Sequence, residues 1–321
     1  MKRPLFSLLA ILLSGSAARA QSNPTFTYAK PDDAKVEVNR TPPVEWKAQV
    51  KGGLMVTSGN SQTTNGVVGA TASRREGNNR LALEGGAAYG HSNVVQGNPD
   101  PAMPAQITSI TRTDVETTNN WFAKGRYDRF FTPNNSGYAS GQAAADKIAG
   151  KSFFGGGQIG YSRQVYKSVR HTTVAEIGYD YSYERYVQTP GKTLDPVSIH
   201  SARLFAGETL KLTPETGLTA SVEAFLNLNK EGKALNASTN PPTAGVDPFH
   251  DTRVVGKLGA TTTLFKKLSI GFGFTVRYDQ NPAPLPLPAL SSGATMFAAG
   301  FQPFADKVDT LTELNLIYTF L

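Results

Sequence analysis

Hydrophobic and polar residues alternate with a period of two along most of this chain. In "GLTASVEAFLNLNK" (217–230), apolar residues stand at every second position and polar residues fill most of the gaps. This pattern predicts a β-strand with one apolar and one polar face. The segment is longer than a typical soluble strand of about 5–6 residues, so its apolar face needs extended apolar surroundings.

The same pattern predicts about twelve strands and no amphipathic helix. The expected strands are 46–57, 61–75, 79–91, 112–131, 136–148, 152–166, 171–187, 197–212, 217–230, 249–265, 268–280 and 306–321. A strand that crosses a membrane needs about 9–11 residues, and these segments reach that length. The sequence therefore favours strands whose apolar faces contact lipid.

Long gaps between the predicted strands fall on one side only. The gaps on the first side are all short: 76–78, 132–135, 167–170, 214–216 and 266–267. On the other side four of the six gaps are long, 92–111, 188–196, 231–248 and 281–305, and two are short, 58–60 and 149–151. Bacterial outer-membrane barrels show this asymmetry. A soluble β-sandwich is the alternative, but it usually has shorter strands and does not explain the one-sided loops.

We therefore predict an all-β fold, a transmembrane antiparallel up-and-down β-barrel of about 12 strands. The apolar face is expected to cover the outside, with tyrosines in aromatic girdles, and the polar face to line the lumen. The predicted lumen charges are Lys124, Arg126, Asp128, Glu176, Asp180, Glu184, Arg203, Glu223, Arg253, Lys257, Arg277, Asp279 and Glu313.

Charges inside a barrel need partners, which leaves two interpretations open. They form a network that fills a narrow lumen, or they line a small aqueous pore and set its ion preference. We favour the network, because barrel bore grows with strand number and about twelve strands fall between filled eight-stranded barrels and open porins. Glu176 and Asp180, four apart on one face, are expected to pair with lumen cations.

The first residues have the features of an export signal. Lys2 and Arg3 precede an apolar run from Leu5 to Leu13, and Ala18-Arg19-Ala20 resembles a cleavage site. We predict a signal peptide at 1–20. The polar, proline-rich stretch 21–45 is expected to be a flexible periplasmic lead segment. The barrel itself is expected to cover 46–321.

The last predicted strand carries Leu314, Leu316, Tyr318 and Phe320 on one face. This pattern resembles the C-terminal strand that the barrel assembly machinery recognises, although Leu321 follows the aromatic residue. Other expected partners are outer-membrane lipid and lipopolysaccharide. The sequence does not predict the oligomeric state.

Composition narrows the chemistry. There is no cysteine, so disulfides, thiolate metal sites and cysteine nucleophiles are excluded. The net charge of +7 falls to +4 without Lys2, Arg3 and Arg19 of the signal. No basic run accompanies that excess, and we expect no nucleic-acid partner.

No catalytic, cofactor-binding or metal site is predicted. The four histidines, His91, His171, His200 and His250, are expected at the rim or in loops, where none is matched to a nucleophile. Asp247 and Asp251, in or next to a predicted loop, are expected to be solvated. Two alternatives stay open: an outer-membrane hydrolase, and a barrel that binds ligands through its long surface loops.

Three segments carry a family resemblance. They are "WKAQVKGGLMVTSGNSQTT" (46–64), "GRYDRFFTPNNSGYASGQAAADKIAG" (125–150) and "IGYDYSYERY" (177–186). Together they resemble the family of domain of unknown function 481, whose members are often labelled salt-induced outer-membrane proteins. The resemblance implies an outer-membrane barrel and supplies no reaction or ligand. We expect a non-enzymatic protein of a Gram-negative-type outer membrane with periplasmic termini, either a narrow channel or a structural component.

Overall fold

The part of the chain that the structure describes contains fourteen β-strands, twelve of which correspond to the alternating segments. A computed structural model describes residues 44–57, 63–99, 107–188, 193–285 and 302–320; no helix there is long and apolar enough to cross a membrane. The strands are β1 (Val44–Thr57), β2 (Thr63–Glu76), β3 (Asn79–Pro99), β4 (Ile107–Thr132), β5 (Asn135–Asp146), β6 (Lys151–Lys167), β7 (His171–Tyr186), β8 (Val197–Lys211), β9 (Thr216–Asn227), β10 (Glu231–Leu235), β11 (Ala244–Val246), β12 (Arg253–Phe265), β13 (Leu268–Asp279) and β14 (Val308–Thr319).

Twelve of these strands close into one barrel, which confirms the predicted fold. Each barrel strand pairs antiparallel with its neighbours in the chain, and β14 pairs with β1 to complete the circle. The exception is the β10–β11 hairpin, a separate two-stranded sheet in the connection between β9 and β12. An up-and-down order of this kind needs only hairpin connections.

Two predicted loops contain strands, so those predictions were wrong. β3 and β4 continue through most of 92–111 and pair as far as Pro99 with Ile107. Beyond the length needed to cross a membrane, both faces of a hairpin meet water, and period-two alternation disappears. The predicted loop 231–248 contains β10 and β11, which are too short to show a pattern.

The predicted signal peptide and lead segment lie outside the described residues, except that Val44 and Glu45 already belong to β1. Within the predicted loop 281–305, residues 286–301 also lie outside them. The remaining strand boundaries agree with the alternation within a few residues.

The outer face of the barrel is apolar. Ile177 on β7 and Leu258 on β12 are 59% and 58% exposed although both are large aliphatic residues. Other exposed wall residues are Leu83, Val68, Ile159, Tyr161, Tyr179, Tyr181, Leu204, Val222, Phe272, Tyr278, Leu314, Leu316 and Tyr318. Such a continuous apolar surface on a closed barrel is what lipid requires.

The two ends of the barrel differ. The end with the connections 77–78, 133–134, 168–170, 212–215 and 266–267 is called the turn end. β1 begins and β14 ends there. The opposite end, with the longer connections and the β10–β11 hairpin, is called the loop end.

Candidate functional site

The charged residues predicted to line the lumen lie on the inner face of the barrel. The buried members are Lys124, Arg126, Asp128, Glu176, Asp180, Glu184, Arg203 and Arg277. The partly exposed members are Glu223, Arg253, Lys257, Asp279 and Glu313. Because neighbouring strand residues face opposite sides of the wall, alternation alone brings both signs of charge into the interior.

Arg126 on β4 makes a buried ion pair across the interior. Its Nη1 and Nη2 donate to the two carboxylate oxygens of Glu176 on β7, at 3.1 and 2.7 Å. Its Nε donates to Asp128 at 2.8 Å. β5 and β6 separate β4 from β7 in the wall, so the contact crosses the lumen. The two parallel hydrogen bonds fix the geometry as well as the charge.

Arg203 on β8 lies at the centre of the filled interior, with a side chain that is 0% exposed. Its Nη1 donates to Glu176 at 2.8 Å and to the Tyr138 hydroxyl at 2.7 Å, and its Nε donates to Glu223. Glu176 is therefore shared between two arginines. We call Arg126, Asp128, Tyr138, Glu176, Arg203 and Glu223 the Arg203 network.

Tyr138 on β5 provides the aromatic surface of this network. Its ring centroid lies 4.2 Å from Arg126 Cζ and 5.4 Å from Arg203 Cζ, within cation–π range. The ring reaches over β6 and β7 because glycines leave room for it. A Cβ at Gly160 or Gly178 would lie 2.6 or 2.5 Å from the Tyr138 hydroxyl oxygen.

A second ion-pair group lies nearer the loop end. Lys151 Nζ is 2.7 Å from Glu184 Oε1, and Arg253 Nη1 is 3.5 Å from the same oxygen. Asp180 accepts hydrogen bonds from Gln158 Nε2 at 2.9 Å and Ser182 Oγ at 2.7 Å. Glu176 thus meets cations directly, whereas the direct contacts of Asp180 are neutral side chains.

Little space remains between the two groups. A cavity of about 60 Å³ separates them, lined in part by Lys124, Glu223 and Arg253. A water molecule takes about 30 Å³ of liquid volume, so this space suits one or two waters. The inner side formed by β4 to β9 is therefore filled by its own side chains.

The opposite side of the lumen is more accessible. We call the inner faces of β1, β2, β3, β13 and β14 the seam side. Lys257 on β12 interacts electrostatically with Glu84 and Glu313 there, and both acids are partly exposed. Arg277 pairs with Asp309 at 3.4 Å. Water-accessible charges of both signs follow this side.

A groove of about 800 Å³ lies on the outer wall of β1 to β5, toward the turn end. Small outward-facing side chains line it, among them Ala48, Ala70, Ala72 and Ala143, and Phe320 borders it. The groove therefore belongs to the apolar outer surface and adds no space to the lumen.

An apolar cluster closes part of the loop end. Its buried residues are Tyr186, Leu194, Val197, Ile199, Ala234, Val246 and Ala283, with Leu235 packed against them. We call this cluster the apolar cap. It joins the end of β7 and the start of β8 to the β10–β11 hairpin. Burial of these side chains holds the hairpin against the barrel mouth.

Two acids lie beneath the hairpin. Glu231 and Asp251 are each 3% exposed, and Asn227 bridges them by donating to Glu231 Oε1 at 3.0 Å and accepting from the Asp251 amide at 3.0 Å. The expectation that Asp251 is solvated was therefore wrong. Burial raises the pKa of Glu231 to about 7, against the opposing charge of Arg253. Burial also raises the pKa of Asp251 well above its usual range.

This acid pair predicts a pH-dependent hairpin. A carboxyl whose pKa is raised by folding opposes the fold above that pKa, and the penalty disappears as pH falls from about 7 toward the unfolded value. We expect opening of residues 231–246 to be at least about tenfold rarer at pH 5.5 than at pH 8, since one pKa unit corresponds to about 1.4 kcal/mol. Amide hydrogen exchange, corrected for intrinsic rates, measures this.

Glu231→Gln supplies the matched control for that experiment. The amide keeps the shape of the side chain and removes its titration. The pH difference should shrink in this variant, with the remainder attributed to Asp251. An unchanged difference would contradict the assignment to Glu231.

The histidines lie away from the Arg203 network. His91 Nδ1 is 3.0 Å from Asp114 Oδ1, and His171 Nε2 is 2.7 Å from Glu208 Oε1. His200 hydrogen-bonds Tyr179 among exposed side chains, and His250 contacts the Pro248 carbonyl. In the part of the chain that the structure describes, no group of three or more His, Cys, Asp or Glu could hold a metal ion.

Sequence reasoning missed several members of the site. Tyr138 had the period-two position of an inward residue, but nothing marked its contact with two arginines. Lys151 was placed in a short gap, and Glu231 in a loop. The alternation could have identified Tyr138 and Lys151 as inward-facing, whereas the burial of Glu231 depends on the hairpin above it.

One family model matches residues 50–240; its description is "Protein of unknown function, DUF481". No curated protein matches the chain. Among solved structures, the translocator domain of the autotransporter NalP from Neisseria meningitidis is 12% identical, with 88% of this chain and 90% of that chain covered and a TM-score of 0.40. The outer-membrane channel DcaP of Acinetobacter baumannii is 10% identical, with 87% and 98% covered and a TM-score of 0.34. Likenesses this distant add nothing to what the strand pairing shows directly.

Proposed function

The chain belongs to the DUF481 family of proteins of unknown function, and we propose its role from the structure of the lumen, because the family itself implies no activity. The protein is a non-enzymatic barrel of the bacterial outer membrane, with a charged interior closed by its own ion pairs. It acts mainly as a structural component of the envelope. The observation that carries this proposal is the complete burial of Arg203 among Glu176, Glu223 and Tyr138.

The membrane assignment rests on the outer wall. Its exposed leucines, valines and tyrosines suit lipid, and a closed barrel leaves few backbone groups unpaired in the hydrocarbon region. Lipid and lipopolysaccharide are therefore its immediate partners. Since both described ends of the barrel sequence lie at the turn end, that end faces the periplasm in the usual orientation of such barrels.

The closed interior follows from the geometry of the Arg203 network. Arg126 and Glu176 join β4 to β7 across the lumen, and Arg253 and Glu184 join β12 to β7. Ions crossing this side would have to break buried ion pairs. Opening such a pair leaves an uncompensated buried charge, which costs several kcal/mol.

A narrow channel is the second candidate, and the seam side favours it. Glu84, Lys257 and Glu313 are partly exposed on the inner face there. In that case the alternation of acids and bases would set the ion preference. The pore would be narrower than that of a porin, because the Arg203 network fills the opposite side of the lumen.

Planar-bilayer recording of the refolded protein separates these roles. We expect no steady current steps from protein whose unheated and heated gel mobilities differ, as folded barrels show. Steady steps in the native protein whose ion selectivity shifts in Glu313→Gln would contradict the closed lumen and establish the seam-side channel. Steps that change when Arg126 is neutralised to Gln, but not in the charge-matched Arg163→Gln variant at an exposed position on β6, would also contradict closure by the Arg203 network.

A further inference from the structure

The groove on the outer wall has a floor of small side chains. Two neighbouring rows of outward-facing residues cross β1 to β5 there, and strand pairing places the members of each row side by side. The first row is Val50, Ala70, Gly85, Ala123 and Ala143, and the second is Ala48, Ala72, Leu83, Gly125 and Gly141. Since adjacent strands lie about 4.8 Å apart, the five strands give the groove a length of about 19 Å. We call it the outer groove.

Large side chains border the outer groove on both sides. Toward the loop end the next row contains Val68 and Trp121, and toward the turn end it contains Trp46, Leu81 and Tyr127. All five are exposed wall residues. The outer groove is therefore a depression between bulky groups. In a bilayer a neighbouring molecule must fill such a depression, since an empty one loses dispersion contacts.

The row at the turn end also contains a cation at the depth of the lipid headgroups. Arg74 pairs with Trp46 across β1 and β2, and its Cζ lies 5.9 Å from the Trp46 ring centroid. Arg74 is two residues from Ala72 on the same face of β2, which is about 7 Å along the strand. Tryptophan and tyrosine on the wall of such barrels lie at the membrane–water interface. Arg74 is therefore at the level of a lipid phosphate and next to the outer groove.

A second arginine lies one row further toward the turn end. Arg129 on β4 is exposed, and its Nη1 donates to Asn79 Oδ1 at 2.8 Å. The Tyr127 hydroxyl donates to the same oxygen at 2.6 Å, which holds the three side chains together. Arg74 Nη2 lies 2.6 Å from Glu76 Oε2, and both of these side chains are partly exposed. A guanidinium group has five N–H donors, more than these contacts use, so both arginines keep donors for a ligand.

The charges at this edge of the outer groove match an anionic phospholipid. Arg74 and Arg129 carry two positive charges and Glu76 one negative charge, which leaves a net charge of +1. A phosphodiester carries one negative charge, so a phospholipid without an ammonium group balances this edge. With the turn end toward the periplasm, as proposed above, the two arginines lie in the periplasmic leaflet, away from the lipopolysaccharide of the outer leaflet.

We propose that the outer groove binds an anionic phospholipid of the periplasmic leaflet, with one acyl chain in the groove and the phosphate held by Arg74 and Arg129. The small side chains of the floor let the acyl chain pack close to the backbone. β3 separates the two arginine-bearing strands, so about 10 Å lies between them, which two long side chains bridge through a phosphate. An uncharged hydrocarbon or a second copy of the chain would fill the groove without using the arginines. This site rests on the membrane assignment proposed above and goes beyond it, because it selects a class of lipid.

Fluorescence quenching tests the lipid preference. The chain has two tryptophans, and Trp121→Phe leaves Trp46 at the edge of the outer groove as the reporter. The refolded protein is placed in phosphatidylcholine nanodiscs with a minor fraction of either phosphatidylglycerol or phosphatidylcholine that is brominated along its acyl chains. Unbrominated nanodiscs of the same composition supply the reference intensity. We expect the association constant of brominated phosphatidylglycerol to be about fivefold higher, the ratio that an exposed ion pair gives at the upper end of its usual range.

Two pairs of variants in the same background assign the preference to this site. Arg74→Gln with Arg129→Gln should abolish it, whereas Arg163→Gln, which removes an exposed charge of β6 outside the outer groove, should leave it unchanged. Ala123→Leu fills the groove without a change of charge and should also abolish the preference. Ala206→Leu, at an exposed alanine of β8, should leave it unchanged.

Equal association of the two brominated lipids with the parent protein would overturn the site. A preference that survives Ala123→Leu or disappears in Arg163→Gln would do the same. Heat-modifiable gel mobility shows whether each variant is folded, and if the double arginine variant is not, the comparison of Ala123→Leu with Ala206→Leu decides. Absence of quenching by either lipid would instead contradict the membrane assignment, so failure of the lipid site and failure of the proposed function are distinguishable.

Discussion

Replacing Arg203 by Met should destabilise the barrel by about 3–5 kcal/mol, the loss expected when one partner of a buried charge network is removed. Met fills a similar volume but leaves Glu176 with Arg126 alone and removes the ion pair of Glu223. Both carboxylates then lie in an interior with little water. Urea unfolding of the refolded protein in detergent micelles, followed by the loss of heat-modifiable gel mobility, measures the change.

Arg163→Met is the matched control for this substitution. Arg163 stands on β6 and is exposed, so its loss should shift stability by less than about 0.5 kcal/mol. Glu223→Gln in the Arg203→Met background should recover part of the loss, because it removes the carboxylate that has lost its ion pair with Arg203. Equal destabilisation by the two Met variants would show that Arg203 is not the centre of the network.

The barrel could be predicted because lipid imposes the same alternation on every spanning strand. Ile177, Leu258 and Phe272 each stand between polar neighbours, so one pattern identifies both the strand and its outward face. The ends of β3 and β4 carry no such pattern, since beyond the bilayer neither face contacts lipid. Their pairing is specified by the hairpin that they continue, which alternation does not record.

The sequence predicts which residues face the interior of the barrel, but not which of these residues pair with each other. Period two places Arg126, Glu176 and Arg203 inside, yet it does not show that they meet. Their contact depends on the barrel's closure, which brings β4 and β7 together across two strands. The Tyr138 side chain fits only because Gly160 and Gly178 lie opposite it and have no Cβ. In the sequence, these two glycines look like any other glycines in the strands.

The structure divides the lumen into two unlike sides. The inner faces of β4 to β9 carry buried ion pairs that cross the lumen, and these close that side. On the seam side, Glu84, Lys257 and Glu313 are partly exposed. If any ligand or ion uses this barrel, the seam side is where a path costs least, because these charges stay in contact with water.

A charge placed in the apolar cap should have the second large effect, which is release of the β10–β11 hairpin. Val246 on β11 is 1% exposed and packs with Val197 and Ile199 of β8. Val246→Asp would place a carboxylate among aliphatic side chains, and burying an unpaired charge costs more than a hairpin of this size gains from its contacts. The hairpin should therefore leave the barrel mouth while the barrel, which is held by its own pairing, stays folded.

Limited trypsin digestion reads this release at Lys233, on the hairpin itself. Val246→Asp should make cleavage there at least about tenfold faster, since a loss of about 1.4 kcal/mol already changes an opening equilibrium tenfold. Ala244→Asp, two residues away on the same strand and exposed, adds the same charge outside the cap and should leave the cleavage rate near that of the native protein.

Heat-modifiable mobility retained in both variants would confirm that only the hairpin moved. If Val246→Asp and Ala244→Asp were cleaved alike, the apolar cap would not be what holds β10 and β11 against the mouth, and closure of the loop end would have to come from the charges around Glu184 and Arg253 instead.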